Sequence, residues 1–173
     1  MITDKDAAKD TIQVAVTDRT GLAKICGRGS FKISASLKEF GLSLIDRGIV
    51  ELVIDLEDCI GMDSTFMGVT AGLCGRFHRE SGGRVTMVHT SEKIQKLMTT
   101  LGLDRLVDDV DLQAAPEVPE LKVLDIKPQT PLESAETMLE AHETLVDAHP
   151  QNHPRFQDVL DYLREDIRRQ RQS

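Results

Sequence analysis

The chain has 173 residues, a formal net charge of −8, one tyrosine and no tryptophan. This length supports one domain, or one domain plus an appendage, with a real hydrophobic core. The net acidity and the scarcity of stacking aromatics argue against direct binding of nucleic acid.

Apolar runs, the first residues and the cysteines together indicate the cellular compartment. No apolar run approaches the roughly 20 residues that span a bilayer, which predicts no membrane insertion. The polar start, MITDKDAAKD, lacks the apolar core of a signal peptide, so we expect a cytoplasmic protein. Cys26, Cys59 and Cys74 form no CxxC pair. They are expected to be buried thiols in a reducing compartment, not metal ligands.

Residues 11–112 alternate strand and helix patterns. We predict strands at 11–16, 22–26, 50–56 and 84–89, and an edge strand at 107–112. We predict helices at 31–45, 64–79 and 91–101. Gly21 is expected in the turn between the first two strands, and Gly48 is expected to end the first helix. Strands separated by helices imply βαβ units and a mainly parallel sheet.

The composition changes near Ala115. All 12 glycines lie between Gly21 and Gly102, and all 6 prolines lie between Pro116 and Pro154. The change predicts an α/β domain over residues 1–115, a proline-containing linker over 116–130 and a helical extension over 131–173.

The extension carries two apolar stripes at helical spacing. The first comprises Ala135, Met138, Leu139, His142, Leu145 and Val146, and the second comprises Phe156, Val159, Leu160, Leu163 and Ile167. The turn between them, residues 149–154, predicts a helical hairpin, with Pro154 suited to a first helical position. Neither stripe can be left in water, so the hairpin must pack on the body, on a second copy or on a partner.

An acidic face accompanies the first stripe. Its members are Glu133, Glu136, Glu140 and Glu143. The simplest interpretation is a solvated helix face, and the alternative is a surface that steers a basic partner.

The segment Asp63-Ser64-Thr65-Phe66-Met67-Gly68 joins a short apolar run to a predicted helix. Asp63 is a good N-cap, and such caps contribute about 1 kcal/mol. Ser64 and Thr65 then fall in the first turn, where free amides and the helix dipole favour a phosphate. Residues alone allow capping, a regulatory phosphorylation site, or both.

Four motifs in order resemble the STAS domain, the family of bacterial anti-sigma factor antagonists. They are VIDL at 53–56, DSTFMGV at 63–69, GGRVTMV at 82–88 and LMTTLGL at 97–103. The resemblance covers residues 11–110 and not the extension. It implies a mixed α/β sheet of four to five strands with helices mainly on one face, to which the C-terminal helical hairpin is added.

The resemblance also implies a function. In that family an ATP-dependent anti-sigma kinase phosphorylates the hydroxyl two places after the motif aspartate, here Thr65, with Ser64 as the second candidate. Phe66 stands where the family usually has glycine, either restricting a kinase or anchoring a different partner. Asp63, Phe66, Met67 and Gly68 would contact an anti-sigma factor or serine/threonine kinase, and a phosphatase would reset the switch. No cofactor or metal is implied.

Two other functions compete with this one. A non-switching scaffold, or a subunit of a signalling or transport complex, would form a homodimer through the hairpin. A hydrolase would need a histidine paired with Ser64, but the sequence has no G-x-S-x-G elbow and ties no histidine to Ser64. His149 and His153 have the spacing of metal ligands but lie in a proline turn. We therefore expect a protein that is not an enzyme.

Overall fold

The computed structural model describes residues 9–107, 110–111, 117–118 and 120–173. Its elements, in chain order, are β1 (Thr11–Val16), β2 (Thr20–Gly29), α1 (Phe31–Asp46), β3 (Glu51–Asp55), β4 (Cys59–Met62), α2 (Ser64–Arg76), β5 (Arg84–Val88), α3 (Glu92–Leu101), β6 (Val110–Asp111), β7 (Lys122–Val123), α4 (Pro131–Ala148) and α5 (Asn152–Gln172).

The strands form a mixed sheet in the order β6-β5-β3-β2-β1-β7. The four strands β2, β3, β5 and β6 run parallel, whereas β1 pairs antiparallel with both β2 and β7. Strand β4 pairs with the far end of β2. The sheet exceeds the expected four to five strands because two-residue strands are added at its edges and β4 beside β2. The predicted α/β class with a mixed sheet is confirmed.

The helices cover mainly one face of the sheet, as expected. Side chains on that face belong to the main hydrophobic core and include Ile12, Ala23, Ile25, Leu52, Ile54, Val85 and Met87. The opposite face carries a small separate cluster of Leu22, Val53 and Val88, with Val118 packed against it.

Two local predictions need correction, and one strand was missed. The chain reverses at Thr17–Thr20, where the Thr17 amide donates to the Thr20 carbonyl at 2.8 Å, so Gly21 belongs to β2 and not to the turn. A Cβ on Gly21 would lie 2.2 Å from Leu44 Cδ1, which shows that close helix packing explains this glycine. Helix α2 ends at Arg76 and continues as a π turn, Phe77–Ser81. Strand β4 was not predicted, because its four residues, CIGM, include a glycine and show no alternation of apolar and polar side chains.

The predicted edge strand at 107–112 is seen in part. Residues 110–111 form β6, while 108, 109 and 112 lie outside the described residues. Strand β7 comes from the segment predicted to be a linker. Its pairing with β1 ties that segment to the sheet edge.

The predicted helical hairpin is present as α4 and α5. Thr130 and Glu133 form a capping box, with Pro131 at the first position of α4. Helix α5 begins at Asn152, so Pro154 occupies its third position and not the predicted first one. The Asn152 side chain is buried and donates 2.9 Å hydrogen bonds to the Leu101 and Leu145 carbonyls, which ties the hairpin turn to the end of α3.

The hairpin buries its stripes on its own chain. Ala141, Leu145, Phe156 and Leu160 belong to the same hydrophobic core as the sheet and α2. Ala135, Leu163 and Ile167 form the contact between the two hairpin helices. The division at residues 115 and 130 stays a prediction. None of the helices that the structure describes is both long enough and apolar enough to cross a membrane.

Candidate functional site

Asp63 joins the starts of two helices. Its Oδ1 accepts from the Phe66 amide at 2.9 Å, and its Oδ2 accepts from the Phe31 amide at 2.7 Å. Its own amide donates to the Gly29 carbonyl at 2.9 Å, which fixes the residue beside β2. The predicted N-cap of α2 is confirmed, and the same carboxylate also binds the first residue of α1.

Ser64 is half-buried and contacts the hairpin. Its Oγ lies 2.9 Å from Nε2 of His142, which is 5% exposed. The other ring nitrogen, Nδ1, donates to the Met138 carbonyl at 2.6 Å, because a carbonyl oxygen can only accept. In the neutral imidazole Nε2 is then an acceptor, so Ser64 donates its hydroxyl hydrogen to His142.

The next three side chains point inward. Thr65 is 5% exposed, Phe66 0% and Met67 2%. The Phe66 ring packs against Gly29, where a Cβ would lie 2.9 Å from Cδ1. Phe66 therefore lies in the core in this structure, and its ring neither blocks nor extends the surface. The partner-binding role of Asp63, Phe66, Met67 and Gly68 stays a prediction.

Gly68 lies directly beneath helix α4. A Cβ built on it would be 2.3 Å from the Ala141 carbonyl oxygen and 2.7 Å from the Ala141 Cβ. Among helix pairs, α2 and α4 make the most extensive contact. Because α2 is covered by the sheet on one side and by α4 on the other, most of its residues are buried. Its sequence is accordingly apolar nearly all round.

The glutamates of α4 are paired with residues of α1 and α5 or with the start of their own helix. Lys38 of α1 meets Glu140 at 2.5 Å, Glu143 meets Arg164 at 3.1 Å, and Arg171 meets Glu136 at 2.6 Å. Glu133 is used in the capping box. The acidic face of α4 is thus occupied mainly by internal ion pairs, which leaves little charge to steer a basic partner.

The Ser64–His142 pair has the distance of a nucleophile and its base. The orienting group is a backbone carbonyl, and the nearby carboxylate of Asp63 is used by two amides. Neither Ser64 nor His142 lines the cavity of about 480 Å³ that lies between α1, α2 and α4. The imidazole is therefore oriented by a backbone carbonyl in place of the carboxylate of a catalytic triad, and the pair does not open into this cavity.

One group of metal-capable ligands occurs among the described residues. Asp55, Glu57 and His89 have ligand atoms within 4.8 Å of one another. Asp55 Oδ1 already binds His89 Nδ1 at 2.8 Å and accepts from the Glu57 amide at 3.0 Å. These bonds explain the cluster without an ion.

Two thiols have shifted acidities. Burial raises the pKa of Cys59 and, with a smaller contribution from the Asp58 carboxylate, that of Cys26. Both thiols are therefore less reactive than a free cysteine at neutral pH. Cys59 is buried as expected, whereas Cys26 is only half-buried.

The sequence did not associate His142 with Ser64. Its signal was present, since His142 is the one ionisable residue in the first apolar stripe. A buried histidine needs a hydrogen-bond partner, but periodicity cannot name a partner 78 residues away.

No family model and no curated protein matches the sequence. Solved structures match the fold. The anti-sigma factor antagonist SpoIIAA in its unphosphorylated form aligns with a TM-score of 0.51 and 18% identity, over 58% of this chain and 89% of its own.

Two further structures agree. An anti-sigma factor antagonist from Mycobacterium paratuberculosis aligns with a TM-score of 0.50 and 18% identity, over 59% of this chain and 86% of its own. A protein of Thermotoga maritima described as a candidate antagonist aligns with a TM-score of 0.51 and 19% identity, over 57% and 87%. The chain therefore has the fold of the anti-sigma factor antagonists, the STAS fold that its motif order resembles.

Proposed function

We propose that the protein is an anti-sigma factor antagonist. The unphosphorylated chain docks through the start of α2 on an anti-sigma factor or anti-sigma kinase and so releases a sigma factor. Phosphorylation at Ser64 or Thr65 abolishes docking, and a phosphatase restores it. The observation that carries the proposal is the Ser64 hydroxyl, held in the first turn of α2 beside Asp63 in a fold shared with known antagonists.

Burial favours Ser64 over Thr65 as the phosphorylated residue. Thr65 is 5% exposed, whereas Ser64 is half-buried at the border of the α2–α4 contact. A kinase therefore reaches Ser64 with a smaller rearrangement. This order reverses the one that the family resemblance implies.

The helix start suits a phosphate and a phosphate there opposes docking. Amides of the first turn and the positive end of the helix dipole stabilise an anion. The group adds about −1.5 to −2 charges at neutral pH, next to the carboxylate of Asp63. An interface that closes over this point would have to desolvate both charges, which weakens binding.

The experiment compares Ser64→Glu and Thr65→Glu with Thr65→Ala, using calorimetric titration with the cognate anti-sigma kinase. The proposal predicts weaker binding in at least one acidic variant and retained binding in Thr65→Ala. Thr100→Glu on the exposed side of α3 is the control for added charge. Unchanged affinity in both acidic variants contradicts the switch.

The alternative, a scaffold that dimerises through the hairpin, has less support. Its basis was the pair of apolar stripes, and these are buried against the body and against each other.

A further inference from the structure

Helix α4 approaches α2 most closely at one point, where the two backbones are in contact. At the centre, the absence of a side chain on Gly68 lets the α4 backbone approach, and any Cβ there would overlap the Ala141 carbonyl. One turn further along α2, a Cβ on Gly72 would meet nothing within 4 Å. The close approach is therefore confined to one point, over which Ala141 fits.

Polar contacts flank that point on both sides. Glu140 reaches Lys38 on α1, and His142 reaches Ser64 at the start of α2. Successive side chains on a helix are about 100° apart, so three consecutive residues can contact α1, the middle of α2 and the start of α2. A strand points successive side chains to opposite faces and cannot make this set of contacts. The surface is thus matched to a helix.

We infer that the face formed by Ser64, Gly68 and Lys38 is a helix-binding surface, and that a partner docks on it with an amphipathic helix after displacing α4. The partner helix carries a small residue over Gly68, an acid toward Lys38 and a hydrogen-bonding side chain toward Ser64. In the closed chain α4 is the internal competitor of that helix. This inference rests on the proposed function, because it specifies the partner of the same site.

Competition follows from the geometry. The helix of a partner and α4 cannot both lie over Gly68, since α4 is already in backbone contact there. The apparent affinity for a partner is then the intrinsic affinity multiplied by the fraction of molecules in which α4 is open. Substitutions that loosen α4 without changing α2 must tighten binding of a helix added in trans.

The probe is a fluorescent synthetic peptide of residues 130–150, which carries the α4 sequence. The full chain with Ala141→Leu presents a side chain too large for the contact with Gly68, so its own α4 competes poorly. We expect this variant to bind the peptide at least about tenfold more tightly than the unaltered chain. The same peptide carrying Ala141→Leu should not bind.

Two glycine variants provide the matched comparison. In the Ala141→Leu background, Gly68→Ala should abolish peptide binding, whereas Gly72→Ala should leave it unchanged. Equal peptide affinity in the unaltered and Ala141→Leu chains overturns the inference. Peptide binding that survives Gly68→Ala overturns it as well.

A second measurement uses the unaltered chain, so it remains informative if the Ala141→Leu chain does not fold. With the unaltered chain, excess peptide should accelerate hydrogen exchange of the α4 amides, because it traps the displaced state. Unchanged exchange at saturating peptide contradicts the inference. Neither assay contains an anti-sigma factor or a phosphate, so its failure leaves the proposed function standing. Failure of the calorimetric test with the kinase, in turn, removes the anti-sigma partner, and peptide binding then shows whether the surface takes a helix.

Discussion

Ser64 and His142 form a 2.9 Å hydrogen bond between helices whose residues are 78 positions apart in the chain. The bond links the proposed phosphorylation site to the C-terminal hairpin. Any group added to Ser64 must therefore change how α4 sits on α2.

The bond itself can be measured by a double-mutant cycle of Ser64→Ala and His142→Phe. A buried hydrogen bond contributes about 1 kcal/mol, and leaving one partner unsatisfied costs about 1–3 kcal/mol. We expect each single variant to lower the free energy of unfolding and the pair to show a coupling of about 1 kcal/mol in urea unfolding. Additive effects would mean that the two side chains do not interact in solution.

Gly68 and Gly72 should respond in opposite directions to alanine. Gly68→Ala places a Cβ 2.3 Å from a backbone oxygen, and overpacking of this kind costs about 1–3 kcal/mol. Gly72→Ala meets open space in a helix interior and should stabilise by about 0.5–1 kcal/mol. Denaturant midpoints of the two variants test this. A stabilised Gly68→Ala protein would show that α4 does not lie against α2.

Asp63 variants separate its two roles, because each carboxylate oxygen binds a different amide. An asparagine side chain offers one acceptor oxygen in place of two, so Asp63→Asn should lose one of these bonds and Asp63→Ala both. We expect Asp63→Ala to lose more stability than Asp63→Asn, at a cost of about 1–2 kcal/mol or more. Thermal unfolding of both variants provides the comparison, and equal losses would contradict separate contributions from the two hydrogen bonds.

The cysteines give a pH-dependent prediction. Since the thiolate is the reactive form, a raised pKa lowers reactivity at a given pH. Burial raises the pKa of Cys59 and of the less buried Cys26. In iodoacetamide labelling of the native protein near a pH of about 8.5, both cysteines should react more slowly than a free thiol. Cys26 should be labelled before Cys59, and both rates should increase as the pH rises. Labelling of Cys59 first would contradict the burial. The urea-unfolded chain, in which the difference should vanish, is the control.

Local signals predicted much of this fold. The helical stripe of α4 and the cap at Asp63 were readable because each depends on residues within a few positions. The class of sheet followed from the alternation of strands and helices. Gly21 was misjudged because its reason, the nearby side chain of Leu44, is a tertiary contact.

The candidate site was predictable only in part. Asp63 and Ser64 were found from the motif, but the inward direction of Phe66 depends on where β2 places Gly29. The contribution of His142 depends on how the hairpin returns to the body. Two amphipathic stripes show that the hairpin must pack somewhere, yet they do not say on which surface.

We propose that charge at Ser64 controls partner docking on α2. The deciding experiment measures the affinity of the cognate anti-sigma kinase for the unaltered chain and for Ser64→Glu, side by side by calorimetry, with Thr100→Glu as control. We expect a loss of at least about tenfold for Ser64→Glu and none for the control. Equal affinity for the unaltered and Ser64→Glu chains would contradict it.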